Sequence, residues 1–362
     1  MTRIDQLVVS AVPGDAITTA ALELQPLLAQ MGPSGLYARY IHPDMEHRFE
    51  FPEARAALDP TGRDRDVIVY HASIGEPTLR DVLLRGPERL VVNYHNVSPA
   101  EVFRPFDAEF AGRLEAGREE VAVLAGRAVL ALANSAYSAA ELTAVGYKRV
   151  RVAPLLPDWQ RLLSASVPTE VQHRVDTFAE GPVVLFVGQL LPHKRPDFLV
   201  QTAHVLTTYL RGDARLVLVG AARLPRYEQT VRTTVAELNL DRYVELTGAV
   251  TDAELAAWYR RADVFFSASE HEGLGIPLIE AMAFDVPVVA RDRAAVPETV
   301  GDAALLLPGS GSCLLAAEAI NRVLADRTLR TGMIERGRAR LADFDPARSR
   351  ATFRDQLTEL VG

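Results

Sequence analysis

The stretch Val264-Phe265-Phe266-Ser267-Ala268-Ser269-Glu270-His271-Glu272-Gly273-Leu274-Gly275-Ile276-Pro277-Leu278-Ile279-Glu280-Ala281-Met282 decides how this chain is read. A short apolar run ending in small polar residues reads as a buried strand. A glycine-bearing loop follows, and Pro277 suits the first position of a helix. The backbone N–H groups of Gly273, Leu274, Gly275 and Ile276 can then converge on one point, where the helix dipole favours an anion. Gly273 and Gly275 have no Cβ to hold off a bulky phosphate, so the loop is expected to cradle a diphosphate. Glu272 in the loop and Glu280 one turn into the helix bracket that cradle. A carboxylate only accepts hydrogen bonds, which suits sugar or ribose hydroxyls. The plainer alternative is two acids near a helix N-terminus, interacting with its dipole.

On either side of this segment, apolar runs alternate with amphipathic stretches, the pattern of βα units and parallel sheets. Strands are expected over 7–12, 36–41, 67–70, 90–94, 128–133 and 150–153, and helices over 16–31, 109–126 and 136–145. The rhythm breaks at Pro154-Leu155-Leu156-Pro157-Asp158, where two prolines remove ladder donors. It restarts with strands over 183–187, 216–219, 243–246, 264–267, 286–290 and 304–307. The fold class is therefore α/β, with two Rossmann-like domains whose parallel sheets face each other across a cleft. The N-terminal domain is placed at 1–160 and the second at 161–344. Asp345-Pro346 opens a C-terminal helix over 345–362, whose Phe353, Leu357 and Leu360 share one face. Spacing leaves open whether it packs on its own domain or crosses back to the first.

Composition narrows the chemistry. A chain of 362 residues with 48% hydrophobic and 24% charged residues is an ordinary globular one. Net charge is −8, so no positive field draws nucleic acid. The single cysteine, Cys313, leaves no disulfide framework and suits a reducing compartment. No apolar run approaches membrane-spanning length, and residues 1–5 do not resemble a signal peptide. A cytoplasmic protein is expected, with membrane contact at most peripheral, at the inner face. Of the 39 cations only Lys148 and Lys194 are lysines.

Several motifs fail. His271-Glu272 lacks the second histidine of a zinc-protease helix, and the eight histidines show no metal spacing. Asp64-Arg65-Asp66 is more simply a solvated turn than a metal-holding acid pair. No dinucleotide fingerprint, phosphate-binding P-loop or serine nucleophile elbow occurs.

The 264–307 segment resembles the nucleotide-sugar site of retaining glycosyltransferases of family 4, which have the GT-B fold. The resemblance rests on Glu272-Gly273-Leu274-Gly275 with Glu280 eight residues on, then Ala281-Met282-Ala283, Val286-Pro287-Val288-Val289-Ala290, Val296-Pro297-Glu298 and Gly301-Asp302-Ala303-Ala304. It covers the second domain well and the first in patches, and it implies that the first binds the acceptor and the second the nucleotide sugar. It implies that Glu280 binds ribose hydroxyls, that Glu272 binds hydroxyls of the donor sugar, and that the backbone of Gly273, Leu274 and Gly275 meets the diphosphate. Gly188-Gln189-Leu190-Leu191-Pro192-His193-Lys194-Arg195 is similar to the family's loop after the first strand of that domain. Lys194 then corresponds to a lysine that neutralises the leaving diphosphate; a compact ammonium suits that work. Gln189 stands where the family usually has arginine, and Arg195 is a candidate substitute. Asp285 stands where the family usually has glycine, and aspartate tolerates the left-handed backbone that such a helix end needs.

In the first domain, Tyr94-His95-Asn96 looks like the family's histidine near the donor phosphate and sugar, although a strand-end histidine is often structural. Pro13-Gly14-Asp15 resembles its glycine loop, and Asn134-Ser135 another family element. His71, at a further strand end, reads equally well either way. Gly248, in Thr247-Gly248-Ala249-Val250, falls where related enzymes hold the base. The resemblance therefore implies catalytic roles for His95, Lys194 and Glu272. It implies donor contacts for Gly14, Gln189, Lys194, Arg195, Gly248, Glu272, Gly273, Leu274, Gly275 and Glu280.

The expected activity is retaining transfer of a hexosyl unit from a nucleotide-diphosphate sugar, a UDP- or GDP-sugar, to a glycan, lipid-linked or small-molecule hydroxyl. The nucleotide sugar is a co-substrate; no cofactor or metal is expected, because Lys194 and the helix N-terminus supply the positive charge. An epimerase or hydrolase on the same fold, or a non-catalytic binder of sugar nucleotides, are the alternatives.

Overall fold

The computed structural model describes residues 2–56, 63–154 and 159–361. Residues 155–158 of the proline-bearing break therefore lie outside the described residues. The chain divides into two compact units. The first comprises Met1–Arg104, Ala108–Leu156 and Asp345–Gly362, the second Pro105–Asp107 and Pro157–Phe344.

The first unit holds six strands: β1 (Ile4–Ala11), β2 (Leu36–Ile41), β3 (Val67–Ala72), β4 (Arg89–Tyr94), β5 (Ala128–Ala133) and β6 (Val150–Val152). They form one parallel sheet in the order β2-β1-β3-β4-β5-β6. All of β3 is buried, as expected of a parallel strand covered on both faces. One face packs Ile4, Val67, Val69, Val91, Leu130 and Leu132 under the Ala16–Met31 helix. The Pro346–Val361 helix joins that same core through Phe353, Leu357 and Leu360. The C-terminal helix thus belongs to the first unit. Its start is capped as its sequence suggests, with Arg348 N–H donating to Asp345 Oδ1 at 2.8 Å.

The second unit repeats the architecture with β7 (Val183–Val187), β8 (Arg215–Val219), β9 (Val244–Gly248), β10 (Val264–Ser267), β11 (Val288–Arg291) and β12 (Ala304–Leu307). The order is β12-β11-β10-β7-β8-β9, again all parallel. Strand order reverses between β1 and β3 in one sheet and between β7 and β10 in the other. Ligands of open α/β sheets bind outside the carboxyl ends of the strands at such points.

Most boundaries fall within two residues of expectation, β1 starts three residues early at Ile4, and two differences have a local cause. β11 begins at Val288 rather than 286, because Pro287 has no N–H; its carbonyl instead accepts from Phe265 N–H at 2.9 Å. The Ile276–Ala283 helix starts one residue before Pro277, with Gly275 as N-cap at φ 87°. At the other end of that helix Asp285 has φ 59°, the left-handed conformation anticipated from its type. Arg338 holds its carboxylate in a fork, at 2.7 and 2.6 Å. Among the described residues no helix is long and apolar enough to cross a membrane.

Candidate nucleotide-sugar site

The β7/β10 reversal point brings two loops together. The loop after β7 makes a short 3₁₀ turn, Pro192–Lys194, and its His193 carbonyl accepts from Glu270 N–H at 2.8 Å. That bond ties it to the loop after β10. Lys194 Nζ consequently lies 2.6 Å from Glu272 Oε1, although the two are 78 residues apart. Both side chains keep some exposure, 18% and 11%, so the pair is reachable from solvent. His193 is buried beneath it, and burial, then Lys194 and His271, holds its imidazole well below its ordinary pKa.

The glycine loop has the form its sequence suggests. Gly275 takes a left-handed backbone, and a Cβ there would meet Leu278 Cδ1 at 2.8 Å, so two constraints select glycine. Among the described residues, Leu274, Gly275 and Ile276 give no backbone N–H bond to the protein. These donors surround the start of the Ile276–Ala283 helix, next to the Lys194–Glu272 pair. Such an arrangement can bind an anion through amides, a helix dipole and one ammonium. Behind the loop, Leu274 O accepts from buried Thr299 Oγ1, and Glu272 O accepts from Ala295 N–H at 3.2 Å.

Glu280 projects from the first turns of that helix. Its Oε2 accepts from Tyr259 Oη at 2.8 Å, and burial raises its pKa while this hydrogen bond opposes the rise. Tyr259 is fully buried, with its ring stacked on Phe284 and Phe265. Sequence reasoning passed over Tyr259, since an aromatic on the inner face of the Asp252–Arg261 helix looks like core alone.

The remaining residues fall at the same carboxyl edge. Gly188, Gly220 and Gly248 end β7, β8 and β9 with φ of 154°, 147° and 71°. Gly220 N–H donates to Gly248 O at 3.0 Å, and Gly188 N–H to Val219 O at 2.9 Å. A Cβ on Gly220 would sit 2.0 Å from Gly188 O, so these turns pack backbone on backbone. Gln189 follows, its carbonyl accepting from Leu191 N–H at 2.8 Å. Arg195 grips Asp197 at 2.9 to 3.1 Å, and Tyr227 Oη donates to the same carboxylate at 2.8 Å. These bonds hold Arg195 in a left-handed backbone, φ 55°, immediately after Lys194.

In the first unit, Gly14 (φ 71°) follows β1, and Asp15 caps the Ala16–Met31 helix through Ile17 and Thr18 N–H. His95 follows β4 and lies against His71 of β3, with His95 Nε2 2.8 Å from His71 Nδ1. Ser135 is the N-cap of the Ala136–Ala144 helix, accepting from Ser138 N–H at 3.1 Å. Among the described residues, no group of three His, Cys, Asp or Glu side chains could hold a metal ion.

Comparison with known proteins agrees with this architecture. Residues 169–340 match the family described as Glycosyl transferases group 1. The chain is 30% identical over 265 residues to the alpha-maltose-1-phosphate synthase of Mycobacterium tuberculosis, covering 65% of this chain and 64% of that protein. It is 30% identical over 250 residues to the D-inositol 3-phosphate glycosyltransferase of Kineococcus radiotolerans, covering 65% and 57%. The chain thus spans less than two thirds of the length of these relatives. Among solved structures, Anabaena Alr3699/HepE in complex with UDP and glucose superimposes with a TM-score of 0.77 at 18% identity, over 99% of this chain and 100% of that one. At that identity the likeness establishes the fold, two parallel-sheet units of the GT-B class. Residues 169–340 thus match the group 1 glycosyl transferases, and the chain around them has the GT-B fold.

Proposed function

We propose that this chain is a retaining glycosyltransferase that moves a hexosyl unit from a UDP- or GDP-sugar to an acceptor hydroxyl. The observation that carries the reading is the Lys194–Glu272 pair, 2.6 Å apart beside the amide-lined start of the Ile276–Ala283 helix. An ammonium and convergent N–H groups stabilise the negative charge that develops on a departing diphosphate. Glu272 accepts from the donor sugar's hydroxyls and Glu280 from the ribose. Gly248 lies by the base, and Gln189 and Lys194 by the phosphates. Gly14 and His95, to which the family resemblance gives donor contacts, lie on the first unit.

In the reaction the acceptor oxygen bonds to the anomeric carbon on the face from which the nucleotide departs. The bond from that carbon to the diphosphate oxygen breaks, and the leaving diphosphate takes the acceptor's proton. No protein base is required, and Lys194 with the helix N-terminus serves where other transferases use a metal. The relatives' names, an alpha-maltose-1-phosphate synthase and a D-inositol 3-phosphate glycosyltransferase, support sugar transfer in general.

A thermal-shift screen with UDP-, GDP- and ADP-sugars tests the reading, because a ligand that binds only the folded state raises its stability. One nucleotide sugar should raise Tm, and with an acceptor pool it should yield a new glycoside with retained anomeric configuration. Epimerised or free sugar as the sole product, with and without acceptor, would replace transfer by epimerisation or hydrolysis.

A further inference from the structure

A chain of hydrogen bonds runs through the first unit to His95, and it leaves only one assignment of protons. It begins at two backbone carbonyls, which can only accept. Ser34 O takes a bond from Gln25 Nε2 at 3.1 Å, which turns Gln25 Oε1 toward Gln6 Nε2 at 2.8 Å. Gln6 Nε2 also donates to Ala21 O at 3.0 Å. With its amide nitrogen so used, Gln6 presents Oε1 to His71 Nε2 at 2.9 Å. An amide oxygen has no proton, so His71 Nε2 carries one. A neutral imidazole has a single N–H, which leaves His71 Nδ1 bare as an acceptor. Its partner at 2.8 Å, His95 Nε2, must then be the donor.

The ring geometry fits. The two imidazoles are within 9° of parallel with centroids 5.0 Å apart. With the nitrogens 2.8 Å apart, that is two rings lying edge to edge nearly in one plane, so the N–H points along the partner's lone pair. Burial keeps both rings uncharged, His95 down to about 3 and His71 well below its ordinary value. Asn93 Nδ2, at 3.4 Å from His95 Nε2, is too long to compete.

We infer that His71, held by Gln6, is a positioning residue that fixes His95 as the tautomer with a protonated Nε2 and a bare Nδ1, so that His95 meets its ligand as an acceptor of a hydroxyl proton. A bare nitrogen takes a bond from a sugar hydroxyl and repels the oxygens of a phosphate, which are themselves acceptors. His95 therefore selects the sugar part of a nucleotide sugar. The functional half of the inference rests on the reading that this chain binds such a donor; the tautomer does not.

Two-bond ¹⁵N–¹H spectra of the full, unliganded chain at neutral pH read the tautomer directly, with His71→Phe and His95→Phe used for assignment. His95 should show a pyrrole-type Nε2 and a pyridine-type Nδ1; the reverse, or an imidazolium, overturns the inference. Gln6→Glu sets a carboxylate against His71 Nε2, which favours a doubly protonated His71 and should turn His95 Nε2 into the acceptor. Gln6→Leu removes the acceptor opposite His71 and should give mixed tautomers. In binding assays with the donor found by thermal shift, Gln6→Leu should weaken the nucleotide sugar about tenfold and leave the free nucleotide diphosphate unchanged. Equal losses for both ligands would show a merely structural role and overturn it. If no nucleotide sugar binds the wild-type chain at all, the functional reading fails, while the spectra still decide the tautomer.

Discussion

Tyr259 Oη donates to Glu280 Oε2 at 2.8 Å and so sets where the carboxylate proposed to hold the ribose stands. Burial raises the Glu280 pKa above the ordinary glutamate range, and the Tyr259 bond counteracts it. Ribose hydroxyls favour the ionised carboxylate, so nucleotide affinity should fall as pH drops through that raised pKa. Tyr259→Phe removes the opposing bond and should move the onset to higher pH. Glu280→Gln should abolish the dependence, and Glu280→Ala should weaken binding about 10- to 100-fold. Calorimetric titration across pH checks all three. The linkage has a second face. A carboxyl with a raised folded pKa costs stability once pH exceeds its unfolded value, so Glu280→Gln should not lower Tm at pH 7.

Lys194 is expected to act mainly in the transition state, when charge develops on the diphosphate. Lys194→Ala should lower kcat about 10²- to 10³-fold, with a smaller change in donor KM. Initial rates at saturating donor decide this; a change confined to KM would place the ammonium in ground-state binding instead.

The left-handed Asp285 stands at a helix end that glycine would occupy without strain. Asp285→Gly should leave Tm nearly unchanged. Asp285→Val forces a β-branched side chain into that conformation and should cost about 1–2 kcal/mol. Urea denaturation of the two variants side by side measures the difference.

Leu357 is fully buried against the first unit's sheet. Leu357→Ala should destabilise that unit by about 2–5 kcal/mol. With two units a single unfolding transition is not assured, so hydrogen exchange within β1 and β3 is the suitable measurement.

The chain should also lose stability in mild acid. His71, His95 and His193 are held neutral by burial, with His95 lowered to about 3. The unfolded chain takes up protons on these rings below about pH 6.5 while the folded one does not, so stability is present above that value and declines as pH falls through it. Tm measured from pH 8 to pH 5 should show the decline, with no such step for a triple variant lacking these histidines.

Among the described residues all twelve strands overlap those expected from the amino-acid order, and the Ala16–Met31 helix has the bounds its pattern suggests. Strand and helix periodicity, the glycine loop at 273–275 and the left-handed Asp285 are local properties, written in residues that stand side by side. The same holds for Glu280, placed one turn along its helix by spacing alone. What joins distant segments left no such trace. Lys194 meets Glu272 across 78 residues because β7 and β10 are sheet neighbours. Tyr259 looks like any core aromatic until it is seen beside Glu280, and Arg195, a candidate phosphate ligand by type, is bound to Asp197. The last helix has an apolar face by periodicity, yet only the packed core shows that face on the first unit. His71, balanced between two readings in the linear chain, acquires a role from Gln6 and His95 on either side of it. Backbone preference and hydrophobic pattern act over a few residues, whereas hydrogen bonds between side chains of different strands depend on strand order and register, which the chain adopts only when it folds.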